Sequence, residues 1–141
     1  MIDDVTRRTL DGVNGFLEQV FGEAVRLSDL LGEALDGREL RRLKYDLLSP
    51  FLKRLVARWH TTLTEFYGER RADIVVERFS FAGEPAPTLA ELGERHGLTR
   101  ERVRQLQKQG LARLRGEKRR ATLTQLAIDV AREILREAPR K

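Results

Sequence analysis

The chain has 141 residues, 35% charged and 40% hydrophobic, the balance of a soluble, helix-rich globule of one modest core or two very small ones. It has no cysteine, which excludes a disulfide framework and a thiolate metal site, and no apolar run approaches the roughly eighteen residues of a membrane span. The net charge of +5 points to a polyanionic partner, and nothing in the chain suggests a membrane.

Residues 2–22 read as a helix, with Gly12 and Gly15 as places where it can break. Asp3 and Asp4 suit its positive N-terminal end, and the opening MIDDVTRR lacks the apolar core of a signal peptide. Val13, Phe16, Leu17, Val20 and Phe21 fall on one helical face, which either binds a partner or, as is commoner, covers the chain's own core. Ser28 is placed to cap a short helix over 29–35, closed by Asp36 and Gly37. Residues 38–48 form a further helix with Leu40, Leu43, Leu47 and Leu48 inward and Arg41, Arg42 and Lys44 outward. Ser49-Pro50 signals a restart, serine as cap and proline in the first turn, where its missing donor is not needed. The helix that follows, 51–67, lines up Leu52, Leu55, Val56, Trp59, Leu63 and Phe66. Trp59 reads as a core anchor with its indole nitrogen at the rim. His60 has no Cys, Ser or paired carboxylate at a telling spacing, so it reads as structural or solvent-facing.

Gly68 divides the chain. Residues 69–81 form a helix with Ile74, Val75, Arg78 and Phe79 along its buried edge, and 83–87 (GEPAP) is a stiff connector because residues before proline avoid the helical region. Residues 88–115 then read as two helices across a tight turn. Thr88 caps the first, which carries Leu89 and Leu92 on one face; Gly93 leaves room there for a close neighbour, and Gly97 ends the helix in the left-handed conformation. His96, at that end, can meet the helix dipole or a phosphate, with capping the plainer role. Leu98 plugs the corner and Thr99 caps the second helix, whose buried stripe is Val103, Leu106, Gly110, Leu111 and Leu114.

The other stripe is Arg100, Glu101, Arg104, Gln105 and Lys108. Arg reads guanine in a fork, Glu accepts from the cytosine amino group and Gln pairs with adenine. A helix-turn-helix sets the start of its second helix against base edges in the major groove of double-stranded DNA. Solvated faces usually alternate in sign, yet residues 99–120 hold nine Lys/Arg and two Glu, a net of +7, while the whole chain is +5 and the remainder therefore −2. Arg102, Arg113, Lys118, Arg119 and Arg120 are the candidate phosphate partners.

The run Thr88-Leu89-Ala90-Glu91-Leu92-Gly93, then residues 99–105 (TRERVRQ), then the Leu111…Leu114-Arg115 close, resembles region 4 of bacterial RNA polymerase sigma factors of the sigma-70 class. Residues 69–81, arginine-rich and ending in Arg-aromatic, are similar to the first half of that region, so the resemblance covers about 69–115. It implies that Arg100, Glu101 and Gln105 read a −35-like promoter element and that Arg102 and Arg104 support DNA contact. It also sets Thr88 and Leu89 near the phosphate backbone, and it implies docking on the β flap of core RNA polymerase; Thr99, at the second cap, is a further candidate for backbone contact. Gln107 stands where the family usually has Glu, and Gly110 where it usually has Ala; such a glycine costs about 1 kcal/mol in mid-helix, so either a kink or a close neighbour is expected there. Nothing resembles the aromatic-rich region with which a whole sigma factor melts the −10 element.

Gly116 bends or ends the reading helix, and 121–138 forms a last amphipathic helix with Leu123, Leu126, Ala127, Val130, Ile134 and Leu135 on its stripe. Either the N-terminal helices cover that stripe or a second copy does, in a homodimer. The expectation is an all-α helical bundle with a C-terminal helix-turn-helix: an N-terminal helical region (1–68), a region 4-like DNA-binding unit (69–120) and a C-terminal helix (121–141). The function expected is a cytoplasmic, nucleoid-associated transcription regulator. The alternative is a protein-interaction module, a sigma mimic, anti-sigma or phage-type regulator, that binds the polymerase β flap or sigma instead of DNA. Without a Gly-rich phosphate loop, a nucleophile elbow or an HExxH pair, neither an enzyme nor a cofactor is expected.

Overall fold

Among the described residues, 2–139, the computed structural model holds eight helices and no strand: α1 (Asp4–Phe21), α2 (Leu27–Gly32), α3 (Gly37–Tyr45), α4 (Leu48–Tyr67), α5 (Glu69–Arg78), α6 (Leu89–His96), α7 (Arg100–Leu114) and α8 (Glu117–Glu137). The class is all-α, as expected. α1 starts where the Asp3 carboxylate accepts from the Thr6 amide at 2.7 Å, satisfying a donor that the helix itself cannot. It runs unbroken through Gly12 and Gly15. Gly12 is needed by its neighbour: a Cβ there would stand 1.7 Å from the Phe79 carbonyl oxygen, so α1 lies directly on the backbone of the turn after α5. The α1 face of Val13, Phe16, Leu17 and Val20 covers the chain's own core.

α1 begins at Asp4 rather than at residue 2, and three further helix starts differ more tellingly from the sequence expectation. α2 begins before Ser28, because the Asp29 carboxylate reaches back to the Arg26 amide (2.8 Å) and Asn14 of α1 takes the Leu27 amide (2.9 Å). α4 begins at Leu48 rather than Phe51, with Ser49 and Pro50 inside its first turn, where proline still lacks no partner. α8 begins at Glu117, so the cationic residues Lys118, Arg119 and Arg120 are its first turn rather than a tail of α7. α3 does start as the Asp36-Gly37 signal suggests, with Asp36 and Glu39 each accepting from the other's amide (2.8 and 3.0 Å).

The main core joins α1, α2, α3, α4 and α8 with the inner faces of α5 and of the second half of α7. Trp59 is fully buried at its centre, packed on Phe16 (centroids 5.5 Å) and near Phe81 (6.2 Å). Its indole N–H is not at the rim as expected: it donates to the Leu123 carbonyl of α8 at 3.1 Å, a partner from a distant part of the chain. The apolar stripe of α8 is buried against α4, α2 and α3 of the same chain, which answers the question of what covers it. Arg58 and Arg54 of α4 pair with Glu133 and Glu137 along the same seam, Arg58 holding Glu133 at 2.7 Å and 2.8 Å and keeping its carboxyl below the usual range. His60 bonds Asp73 at 2.7 Å and ties α4 to α5, a structural role.

A second, smaller cluster lies apart: Ile74 of α5, Leu92 of α6, and Val103 and Leu106 of α7, with Leu89 and Leu98 packed on it. α5 and α7 therefore each serve two cores, with Ala72, Val75, Leu111 and Leu114 turned to the large one.

The contact at Gly12 yields a paired prediction. Gly12→Ala should lower stability in urea unfolding by about 1–3 kcal/mol, the usual effect of overpacking. Gly15→Ala, whose Cβ would meet nothing nearer than a Phe79 ring carbon at 3.8 Å, should leave stability unchanged or raise it by up to about 1 kcal/mol.

Candidate nucleic-acid interface

The unit that carries the basic stripe is built from local chemistry. Thr88 and Glu91 form a reciprocal cap on α6: the Thr88 hydroxyl accepts from the Glu91 amide (3.1 Å) and the Glu91 carboxylate accepts from the Thr88 amide (3.2 Å). That amide donor holds the Glu91 carboxyl below the usual range. Gly97 closes α6 in the left-handed conformation (φ 66°, ψ 34°), and the Leu98 amide returns to the Gly93 carbonyl at 2.8 Å. A Cβ on Gly93 would stand 2.5 Å from the Leu98 carbonyl oxygen, so the turn folds flat against α6 only because that position is bare. Thr99 caps α7 by accepting from the Arg102 amide at 3.1 Å.

Arg100, Glu101, Arg104, Gln105 and Lys108 are all exposed, on the side of α7 away from Val103, Leu106, Gly110, Leu111 and Leu114. No other helix covers them. Glu101 and Arg104 face each other as a fork, Nε to Oε2 at 3.0 Å and Nη2 to Oε1 at 2.6 Å. The guanidinium bonds hold the Glu101 carboxyl below the usual range and raise Arg104. Exposed pairs of this kind contribute little to stability, so the fork opens readily when a better partner arrives.

The other predicted residues divide. Thr88, Leu89, Thr99 and Arg102 sit at the starts of α6 and α7, Leu89 half-buried and the rest exposed; Arg113 and Lys118 are exposed farther along. Arg119 and Arg120 are half-buried, the first 4.1 Å over the Phe66 ring and the second 5.9 Å from the Phe21 ring, so both are braced against the body. His96 does not end its helix as a cap; it bonds Glu77 of α5 at 2.5 Å, beside an Arg95–Glu77 contact at 3.3 Å, and so pins α6 to α5.

Two cations that sequence reasoning did not single out join the site. Arg70 and Arg71, in the first turn of α5, line a groove of about 540 Å³ with Tyr67, Leu98, Arg102 and Leu106, beside the start of α7. Cations in the first turn run against the helix dipole, and that mismatch was the available signal. At Gly110, α7 does not kink: it is continuous from Arg100 to Leu114, and Tyr67 lies against it with its hydroxyl donating to the Gly110 carbonyl. Burial raises the phenol's pKa, which keeps that donor protonated. Among the described residues no group of His, Asp and Glu is placed to hold a metal ion, and no helix is long and apolar enough to cross a membrane.

Residues 68–116 match the family described as Sigma-70, region 4. Among curated proteins, the chain is 43% identical over 47 residues to the RNA polymerase principal sigma factor HrdD of Streptomyces griseus. The match takes in 33% of this chain and 14% of that relative's length. No solved structure matches significantly. The matched residues are the two-helix unit just described together with α5.

Tyr67 and Gly110 provide a test of how α7 is held. Tyr67→Phe should cost about 0.5–1.5 kcal/mol in denaturant unfolding, the worth of one hydrogen bond. Gly110→Ala should gain up to about 1 kcal/mol, because its Cβ would meet the Tyr67 ring at an ordinary 3.8 Å.

Proposed function

With residues 68–116 a sigma-70 region 4-like, DNA-binding helix-turn-helix segment, we propose that the chain is a transcription regulator that reads a −35-like promoter element. α7 enters the major groove and sets Arg100, Glu101, Arg104, Gln105 and Lys108 against base edges. The observation that carries this reading is the exposure of those five side chains on one face of a helix whose opposite face is fixed in two cores. In the groove the Glu101–Arg104 fork opens, Glu101 turning to a cytosine amino group and Arg104 to guanine or a phosphate. The weak worth of an exposed pair makes that exchange favourable.

Thr88, Leu89, Thr99 and Arg102 hold the backbone at the helix starts, with Arg70 and Arg71 extending the contact along α5 and Arg113 and Lys118 along α7 and α8. Arg119 and Arg120 reach a phosphate only by leaving the rings of Phe66 and Phe21, so their contributions are the smaller ones. The relative's description as an RNA polymerase sigma factor supports a contact with RNA polymerase as part of the same reading, and the β flap is the docking place that the region 4 resemblance implies.

Binding to a promoter fragment with a −35-type element, compared with random duplex, tests the proposal. Arg100→Ala and Gln105→Ala should each lose about 1–3 kcal/mol on the promoter fragment and little on random DNA. Arg70→Ala should weaken both equally and reduce the salt slope by about 0.9. Equal losses on both duplexes for Arg100→Ala and Gln105→Ala would remove direct readout. Retention of polymerase by a variant with Arg100, Arg104 and Lys108 reversed in charge would place the polymerase contact on another face.

A further inference from the structure

Residues 1–67 lie outside the matched segment, and their helices carry a second surface feature. Where α1, α2, α3 and α4 meet, a groove of about 380 Å³ opens to solvent. Its floor is apolar: Leu10, Leu31, Leu40, Leu43, Leu48 and Phe51. Its shape is set from within, since Asn14 accepts from the Leu27 amide at 2.9 Å and so locks α1 to α2 across one wall. On the rim stands Tyr45, 72% exposed, the most exposed large apolar side chain among the described residues, with the Lys44 ammonium 5.4 Å from its ring centroid.

The charge at this rim is one-sided. Arg26, Arg41 and Lys44 line the groove and no carboxylate does. The surrounding sequence does not dictate this: residues 1–67 hold ten Lys/Arg and eleven Asp/Glu, a net of −1. Three cations sorted onto the mouth of an apolar groove, within an otherwise slightly acidic half, form a surface complementary to one kind of partner. The neutral polar side chains in its wall are Asn14, whose carbonyl oxygen is already on Leu27, and Ser28, so the lining is chiefly apolar with cations at the rim. Apolar side chains three and four residues apart on a helix fill such a floor, and carboxylates flanking them meet the rim.

We propose that this groove docks an acidic amphipathic helical segment of a partner protein, its apolar face on Leu10, Leu40 and Tyr45 and its carboxylates on Arg26, Arg41 and Lys44. The occupant does not compete with DNA. α3 packs chiefly on α2, α4 and α8, whereas α7 packs chiefly on α1, α5 and α6, so the two surfaces belong to different helices of one body. The chain then links a duplex to a partner, and the inference stands whether or not α7 reads sequence.

The probe is a synthetic amphipathic peptide with Leu at helical spacing and Glu elsewhere, titrated into the full isotopically labelled chain. Its comparators carry Lys in place of Glu, or Ser in place of Leu. Amide shifts should cluster around Leu10, Leu31, Leu40 and Tyr45, and both comparators should bind about tenfold more weakly or worse. Tyr45→Ala and the double change Arg41→Glu with Lys44→Glu should each weaken the acidic peptide by about tenfold, with melting temperature unchanged because these side chains are exposed. Lys44→Arg, which keeps the cation, should bind the acidic peptide as the unaltered chain does, and saturating duplex DNA should not displace it. Shifts centred on residues 100–108, equal binding of the Lys peptide, or indifference to Tyr45→Ala would overturn the proposal. So would concentration-dependent self-association of the free chain that Tyr45→Ala abolishes, since the occupant would then be a second copy.

Discussion

The structure depends on one straight helix serving two cores. The first half of α7 buries Val103 and Leu106 in the small cluster with Ile74 and Leu92, and its second half buries Leu111 and Leu114 in the large one. A helix without a break cannot turn one half independently of the other, so the bundle sets the direction in which Arg100, Glu101, Arg104, Gln105 and Lys108 point. Gly110 marks the crossing, where Tyr67 from the end of α4 packs against the helix and bonds its backbone. α5 repeats the arrangement, with Ile74 in one core and Ala72 and Val75 in the other. A cluster as small as the outer one is hard to stabilise alone, because too little surface is removed from water. The region 4-like segment is therefore presented by the body rather than hung from it.

Charge follows the same division. Along the α4–α8 seam, Arg54 and Arg58 are matched by Glu133 and Glu137, and between α5 and α6 His96 and Arg95 meet Glu77. The stripe on α7 keeps only the labile Glu101–Arg104 fork. Pairs that join helices lie between elements, while the cations facing outward at the tip have little within the protein to satisfy them. A polyanion is the natural complement to such a surface.

What could be read from the residues was whatever their near neighbours decide. The cap at Thr88, the flat turn around Gly93, the left-handed Gly97 and the cap at Thr99 involve partners within a few positions, and each forms as expected. Ser28 and Ser49 looked like equally good caps, but Asn14 and Asp29 in one case and a start at Leu48 in the other moved the helix ends. The depth of Trp59 depends on a carbonyl of residue 123, and the role of His96 on a carboxylate of residue 77. Arg70 and Arg71 join the site only because α5 folds beside the start of α7. Periodicity shows that a face is buried, but not which partner buries it.

Native-state hydrogen exchange tests the shared-core arrangement most directly. If α7 is clamped by the body, the amides of Leu111 and Leu114 should exchange only with global unfolding, at the same free energy as those of Leu55, Trp59 and Ala127. Leu92 and the first turn of α7 should open at lower free energy. If the amides of α7 exchange together with those of α6, at a free energy well below that of α4 and α8, the region 4-like unit would be an independent module and the account would fail.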